Sequence, residues 1–180
     1  MITGCQIILI TGGARSGKSQ YAEQRARELG SRRLYVATAE AQDQEMAQRI
    51  AAHKRNRGDE WTAIEEPVEL TETLLAQRGR IDCALVDCLT LWISNLLLRR
   101  DGQYVKEKVE QLVQAMPQLD FHLVLVTNEV GWGIVPDNPL AREFRDVAGW
   151  TNQRIAGAAN EVVVMVAGIP MMVKKEIACP

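Results

Sequence analysis

At 180 residues the chain is long enough for one domain with a substantial buried core, and that single-domain reading covers residues 1–180. Its 47% hydrophobic and 24% charged residues are the balance of an ordinary globular protein, and a net charge of −2 argues against a nucleic-acid or anionic-membrane partner. Cys5, Cys83, Cys88 and Cys179 form no CxxC pair, so neither a zinc site nor a disulfide framework is indicated. Reduced thiols, no basic leader before an apolar run and no apolar stretch near the ~20 residues of a membrane span make the expected location cytoplasmic.

In chain order, residues 6–10 are an isoleucine-rich apolar run that reads as a buried strand, and residues 18–29 read as a helix stopped by Gly30. A second strand, 34–38, precedes a helical pattern over 43–55, in which Met46, Ile50 and His53 share one face. Residues 67–75 suggest a helix, 83–87 a strand, and 89–98 and 104–116 two more helices. Residues 122–127 and 161–167 are strands with almost no polar alternation. Helical segments at 140–148 and 152–159 separate them, and 170–174 suggests an edge strand. Strands apolar on both faces, alternating with helices, predict an α/β fold: a mostly parallel central sheet flanked by helices.

The stretch TGGARSGKS fits the phosphate-loop pattern at every fixed position: Gly12, Gly17, Lys18 and Ser19, with Gly13, Ala14, Arg15 and Ser16 between. Glycines let backbone N–H groups turn around an anion, and the following helix adds its positive end. Lys18 is expected to reach the β- and γ-phosphates, and Ser19 to hold Mg²⁺. Asp87, ending an apolar strand, is the natural second metal ligand, although a strand-end Asp also caps helices. With a strand before the loop and a helix after it, the α/β fold is P-loop NTPase-like, and these residues alone specify a P-loop NTPase or kinase and no more.

His53 is followed at once by Lys54, Arg55 and Arg57. On the core-side face it reads as a packed histidine. Beside three cations it also reads as a nucleophile, because neutral imidazole attacks phosphorus and nearby positive charge keeps it neutral. His122 opens an apolar strand and reads as structural. The loop TNEVGWGIVP carries Trp132 between Gly131 and Gly133. With Arg142 and Arg145 beyond it, this loop reads either as a rigid connection with a buried Trp and plain surface charges or as a face toward a ligand or a subunit boundary.

Together these stretches resemble the bifunctional adenosylcobinamide kinase / adenosylcobinamide-phosphate guanylyltransferase family of cobalamin synthesis. The resemblance is carried by TGGARSGKS, by YVATAEAQDQEMAQRIAAHKRNR, by WTAIEEP, by LVDCLTLWISNLL, and most specifically by residues 125–156. It implies two steps with GTP or ATP and adenosylcobinamide as substrates: phosphorylation of the aminopropanol hydroxyl, then transfer of GMP through a guanylylated histidine. That histidine would be His53; some members carry a second histidine just before it, where this chain has Ala52. The resemblance extends the nucleotide-contacting set beyond the loop to Ala37, Thr38 and Ala39, to Lys54, Arg55, Asn56 and Arg57, and to Glu65 and Asp87. It also implies a homotrimer, and makes the corrinoid the ligand that the Trp132 loop would face. A monofunctional P-loop kinase with a structural His53, and a nucleotide-gated regulatory module, remain open from the residues alone.

Overall fold

The computed structural model describes residues 4–40 and 60–175. The helical pattern at 43–55, with His53, Lys54, Arg55, Asn56 and Arg57, lies outside the described residues, as does Cys179.

Seven strands form one sheet. They are β1 (Ile7–Gly12), β2 (Arg33–Ala37), β3 (Trp61–Glu65), β4 (Cys83–Asp87), β5 (His122–Val126), β6 (Glu161–Val166) and β7 (Ile169–Lys175). Their spatial order is β3-β2-β4-β5-β1-β6-β7; the first six are parallel and β7 runs antiparallel to β6. The helices are α1 (Lys18–Leu29), α2 (Leu70–Leu75), α3 (Leu89–Arg99), α4 (Gly102–Ala115) and α5 (Pro139–Ala158), with a short 3₁₀ turn at Met116–Gln118.

Strand alternation divides the core into two layers. Ile8, Ile10, Tyr35, Leu85, Val124 and Val126 face one side and pack with Ala22 and Ala26 of α1. Leu9, Leu34, Val36, Val86, Leu123 and Leu125 face the other and pack with buried side chains of α2, α3, α4 and α5. The small alanines let α1 lie close to the strands. Both faces are covered, so the central strands need no polar alternation, as the sequence indicated.

Two expectations change. The segments at 140–148 and 152–159 are one helix, α5. Gly149 lies inside it, but one glycine costs only about 1 kcal/mol relative to alanine, and Val147, Ala148, Thr151 and Ile155 bury a continuous stripe across the join. Asn138 caps its start, accepting from the Leu140 and Ala141 amides at 2.8 and 3.4 Å, with Pro139 at the first position. Second, Trp61–Glu65, unassigned from the sequence, is an edge strand with only Trp61 buried. Its ladder sets Glu65 beside Ala37, which in turn pairs with Asp87. The expected edge strand at 170–174 is β7, and a bulge between Val162 and Val163 offsets its ladder.

Candidate functional site

The carboxyl ends of the parallel strands bring the described sequence-selected residues, Gly12 to Ser19, Ala37 to Ala39, Glu65 and Asp87, to one rim, as open α/β sheets do. The loop from Gly12 to Ser19 leaves β1 there and enters α1. Gly12 has φ +149°, and a Cβ on it would stand 2.5 Å from the Met165 carbonyl oxygen, so only glycine lets the loop pass β6. Gly17, at φ +92°, turns the chain into the first helical residue, Lys18. Arg15, exposed, holds a positive φ of 55°. The loop is tied to the sheet by the Gly168 amide donating to the Ser16 carbonyl at 3.1 Å.

Lys18 is 7% exposed, and its Nζ donates to the Gly13 carbonyl at 2.6 Å and to Ser16 Oγ at 3.4 Å. Burial lowers its pKa, while the nearby Asp87 carboxylate pulls it back up. The ammonium thus sits inside its own loop, where an anion would find it largely stripped of water. Asp87 belongs to the face that packs on α1, and Tyr35 Oη donates to its Oδ2 at 3.0 Å. Tyr35 was not selected from the sequence: within LYVAT it reads only as strand core.

Ser19 and Asp87 offer a hydroxyl and a carboxylate at this rim. No group of three or more His, Cys, Asp or Glu side chains converges among the described residues. A pair of hard oxygen donors fits Mg²⁺, which keeps several waters and is completed by substrate phosphates.

Thr38 and Ala37 end β2 beside Asp87. Thr38 is fully buried, and its hydroxyl is committed: it donates to the Cys88 carbonyl at 2.7 Å and accepts from the Cys88 amide at 2.9 Å. Its carbonyl accepts from Asn95 Nδ2 at 2.7 Å. Thr38 therefore fastens β2 to β4, with its side chain turned to that work. Glu65 stands at the end of β3 in register with Ala37. The neighbouring Glu66 holds the turn before α2, accepting from the Val68 and Glu69 amides at 2.9 and 2.7 Å. Cys88, 6% exposed, has its thiol pushed up to about 11, chiefly by burial and then by Asp87, which keeps it protonated.

His122 is structural, as expected: its Nδ1 accepts from the Gln6 amide at 3.0 Å, at the opposite end of the sheet. Trp132 is 76% exposed and Ile134 97%, so the loop between β5 and α5 presents apolar side chains outward. Its arginines are not plain surface charges. Arg145 donates to the Gly131 carbonyl at 2.6 Å, and Arg142 to the Pro136 and Asp137 carbonyls at 2.9 and 2.6 Å; both brace the loop's backbone.

The family model for cobinamide kinase / cobinamide phosphate guanyltransferase matches residues 8–173. The bifunctional adenosylcobalamin biosynthesis protein CobP of Pseudomonas aeruginosa is 46% identical over 168 residues, 93% of this chain and 97% of the relative. The bifunctional adenosylcobalamin biosynthesis proteins CobU of Escherichia coli and of Salmonella typhimurium are each 40% identical over 181 residues, covering 93% of this chain and 99% of the relative.

Proposed function

This chain belongs to the cobinamide kinase / cobinamide phosphate guanyltransferase family, and from that premise we propose how one glycine cradle supports two transfers. The protein is a bifunctional enzyme: it phosphorylates adenosylcobinamide with a nucleoside triphosphate and then transfers GMP from GTP to the product. That assignment closes the two alternatives left open by the residues alone.

In the kinase step Lys18 leaves the Gly13 carbonyl for the β- and γ-phosphates, and the loop amides from Gly13 to Ser19 cradle them. Lys18's position inside the loop carries this reading: a buried, partly desolvated ammonium whose hydrogen bonds among the described residues go to loop oxygens has an anion-shaped alternative. Ser19 and Asp87 would hold Mg²⁺, which when bound neutralises charge on the phosphates; Tyr35 fixes the Asp87 carboxylate for that role. The bond from the terminal phosphorus to the β-phosphate oxygen breaks, and one to the aminopropanol oxygen forms.

In the second step the His53 imidazole attacks the α-phosphorus of GTP and pyrophosphate leaves. The phosphate of adenosylcobinamide phosphate then displaces the histidine and forms adenosylcobinamide-GDP. Lys54, Arg55, Asn56 and Arg57 follow His53 and would grip phosphate oxygens, and Ala37, Thr38, Ala39 and Glu65 complete the nucleotide's surroundings. The test is mass spectrometry after GTP treatment. A GMP adduct, acid-labile and base-stable, is expected on the wild type and absent from His53→Ala; an adduct that survives the substitution refutes the histidine's role.

One domain serves both steps. No helix among the described residues is long and apolar enough to cross a membrane. A cytoplasmic location is supported by the buried free thiols Cys83 and Cys88. A homo-oligomer, a trimer on the family resemblance, is supported by β7: an edge strand with Ile169, Met171, Met172 and Val173 exposed is an unfinished surface that a second copy of the chain would cover. Light scattering on the eluting protein tests it, and a monomeric mass at working concentration rules it out.

A further inference from the structure

We infer that Asn128, which lies in the loop TNEVGWGIVP but has no role from motif or resemblance, donates a side-chain hydrogen bond to the phosphoryl group in flight. The inference rests on the cradle reading above.

Strand β5 lies between β1, which carries the glycine loop, and β4, which carries Asp87. Val126 pairs with Ile10 on one side and Asp87 on the other. The ladder to β1 does not stop at Val126. The Thr127 amide donates to the Ile10 carbonyl at 2.9 Å, and the Glu129 amide to the Gly12 carbonyl at 3.0 Å. Steps of two residues on both partners are the parallel-strand pattern, so the extended backbone continues through Asn128. Alternation then sets its face. Val124 and Val126 pack on the α1 layer, and Asn128 continues that series. Thr127, on the other face, bonds to α3 and α5. Asp87 shares the α1 face, and Lys18 opens α1. Asn128 therefore stands at the end of the strand between the two halves of the phosphate site, on the side where both halves act.

The backbone there is fixed by a directional ring of hydrogen bonds. The Asn128 amide donates to Thr90 Oγ1 at 2.7 Å, and the hydroxyls of Thr90 and Thr127 meet at 3.3 Å. Thr127 donates to Asn152 Oδ1 at 2.8 Å, and Asn152 Nδ2 returns to the Asn128 carbonyl at 3.5 Å. With Thr127's proton committed to Asn152, Thr90 is the donor of the middle bond. Thr90 and Thr127 are 7% and 1% exposed. Thr90 of α3 and Asn152 of α5, linked through Thr127, thus hold the main chain of Asn128, while its carboxamide has no hydrogen-bond partner among the described residues. A main chain pinned at both polar atoms beneath an uncommitted amide is the preorganisation that charge stabilisation in phosphoryl transfer requires. The amide takes no proton: the acceptor hydroxyl's proton passes to solvent, and Nδ2–H donates to a phosphoryl oxygen as negative charge spreads over it.

The test uses Asn128→Ala and Asn128→Asp in the full chain, with kinase kcat, nucleotide Kd and Tm measured together. Expected for Asn128→Ala is a fall in kcat on the order of 10²-fold, as for loss of one transition-state donor. Nucleotide Kd stays within threefold and Tm within a few degrees, since the ring binds the main chain and not the side chain. Asn128→Asp, isosteric but lacking the donor and adding charge beside the phosphates, falls at least as far. A kcat within threefold of wild type in the alanine variant, while Lys18→Ala is inactive, overturns this inference and leaves the cradle reading intact. Losses of kcat that merely follow losses of Tm in both variants overturn it as well, because they mark a structural role. Retained kinase activity in Lys18→Ala would instead strike the cradle itself.

Discussion

The two ends of the sheet are both polar, and they handle that polarity in opposite ways. At the amino ends of the strands every singled-out group is closed on a neighbour. Asp82 accepts from the amides of Ser31 and Arg32 and from the Arg32 guanidinium; His122 accepts from the Gln6 amide; Asn160 Oδ1 accepts from the Ile7 amide at 2.8 Å. At the carboxyl ends several buried groups are spent on backbone: Thr38 ties β2 to β4, Asn95 ties α3 to the Thr38 and Pro67 carbonyls, and the Thr90–Thr127–Asn152 ring holds Asn128. The functional side chains above that lattice, Lys18 foremost, are held by weaker or replaceable partners. Polar groups that satisfy one another make structure; polar groups brought together with their capacity unspent make a site.

The largest break in this contrast comes from Lys18→Ala. Kinase kcat/KM is expected to fall on the order of 10²–10³-fold or more, from the loss of the cation at the phosphates. Tm is expected to hold or rise, because the variant removes a desolvated ammonium whose hydrogen bonds among the described residues go to loop oxygens. A variant that melts well below wild type while keeping its kinase activity would mean that Lys18 belongs to the structural end after all. Steady-state kinetics alongside calorimetry decides between the two.

The sequence carried most of the sheet and half of the site. Uninterrupted apolar runs such as ILI, CALV and HLVLV announce buried parallel strands, and GGARSGKS announces its own conformation because no other residue tolerates Gly12's contact with Met165. The edge strand Trp61–Glu65 was illegible for the opposite reason: with one face of its neighbours missing, only Trp61 is buried and no pattern survives. Helix α5 was split because Gly149 is a local signal against helix, whereas the stripe from Val147 to Ile155 that overrides it is a tertiary one. In the site, Tyr35, Asn95 and Asn128 went unread. Each lies inside a stretch that carries the family resemblance, yet its placement comes from strand order and tertiary hydrogen bonds, which no local window shows. His53 and its basic neighbours rest on the sequence, being outside the described residues.

The smallest expected effect tests the closed end. Five hydrogen bonds converge on the Asp82 carboxylate, from the Ser31 amide and hydroxyl and from the Arg32 amide and guanidinium. The Arg32 side chain first, then the Arg32 amide, holds its pKa well below the usual carboxylate range. A carboxyl whose folded value is depressed contributes stability above its unfolded value of about 3.9, and loses that contribution as pH falls toward the folded value. Asp82→Asn removes the titrating group. The expected outcome is a Tm a few degrees lower at pH 7, a modest figure because the ion pair is largely solvated, with the gap closing as pH drops below about 4. The two Tm–pH curves therefore converge on the acid side, and parallel acid limbs would show that Asp82 is not the group being titrated. Kinase kcat at 25 °C and neutral pH stays at the wild-type value, because Asp82 opens the approach to β4 at the end remote from Asp87. A drop in kcat with Tm unmoved would show that the two rims communicate along the length of that strand, and that satisfaction of polar groups at one end is part of how the other end is set.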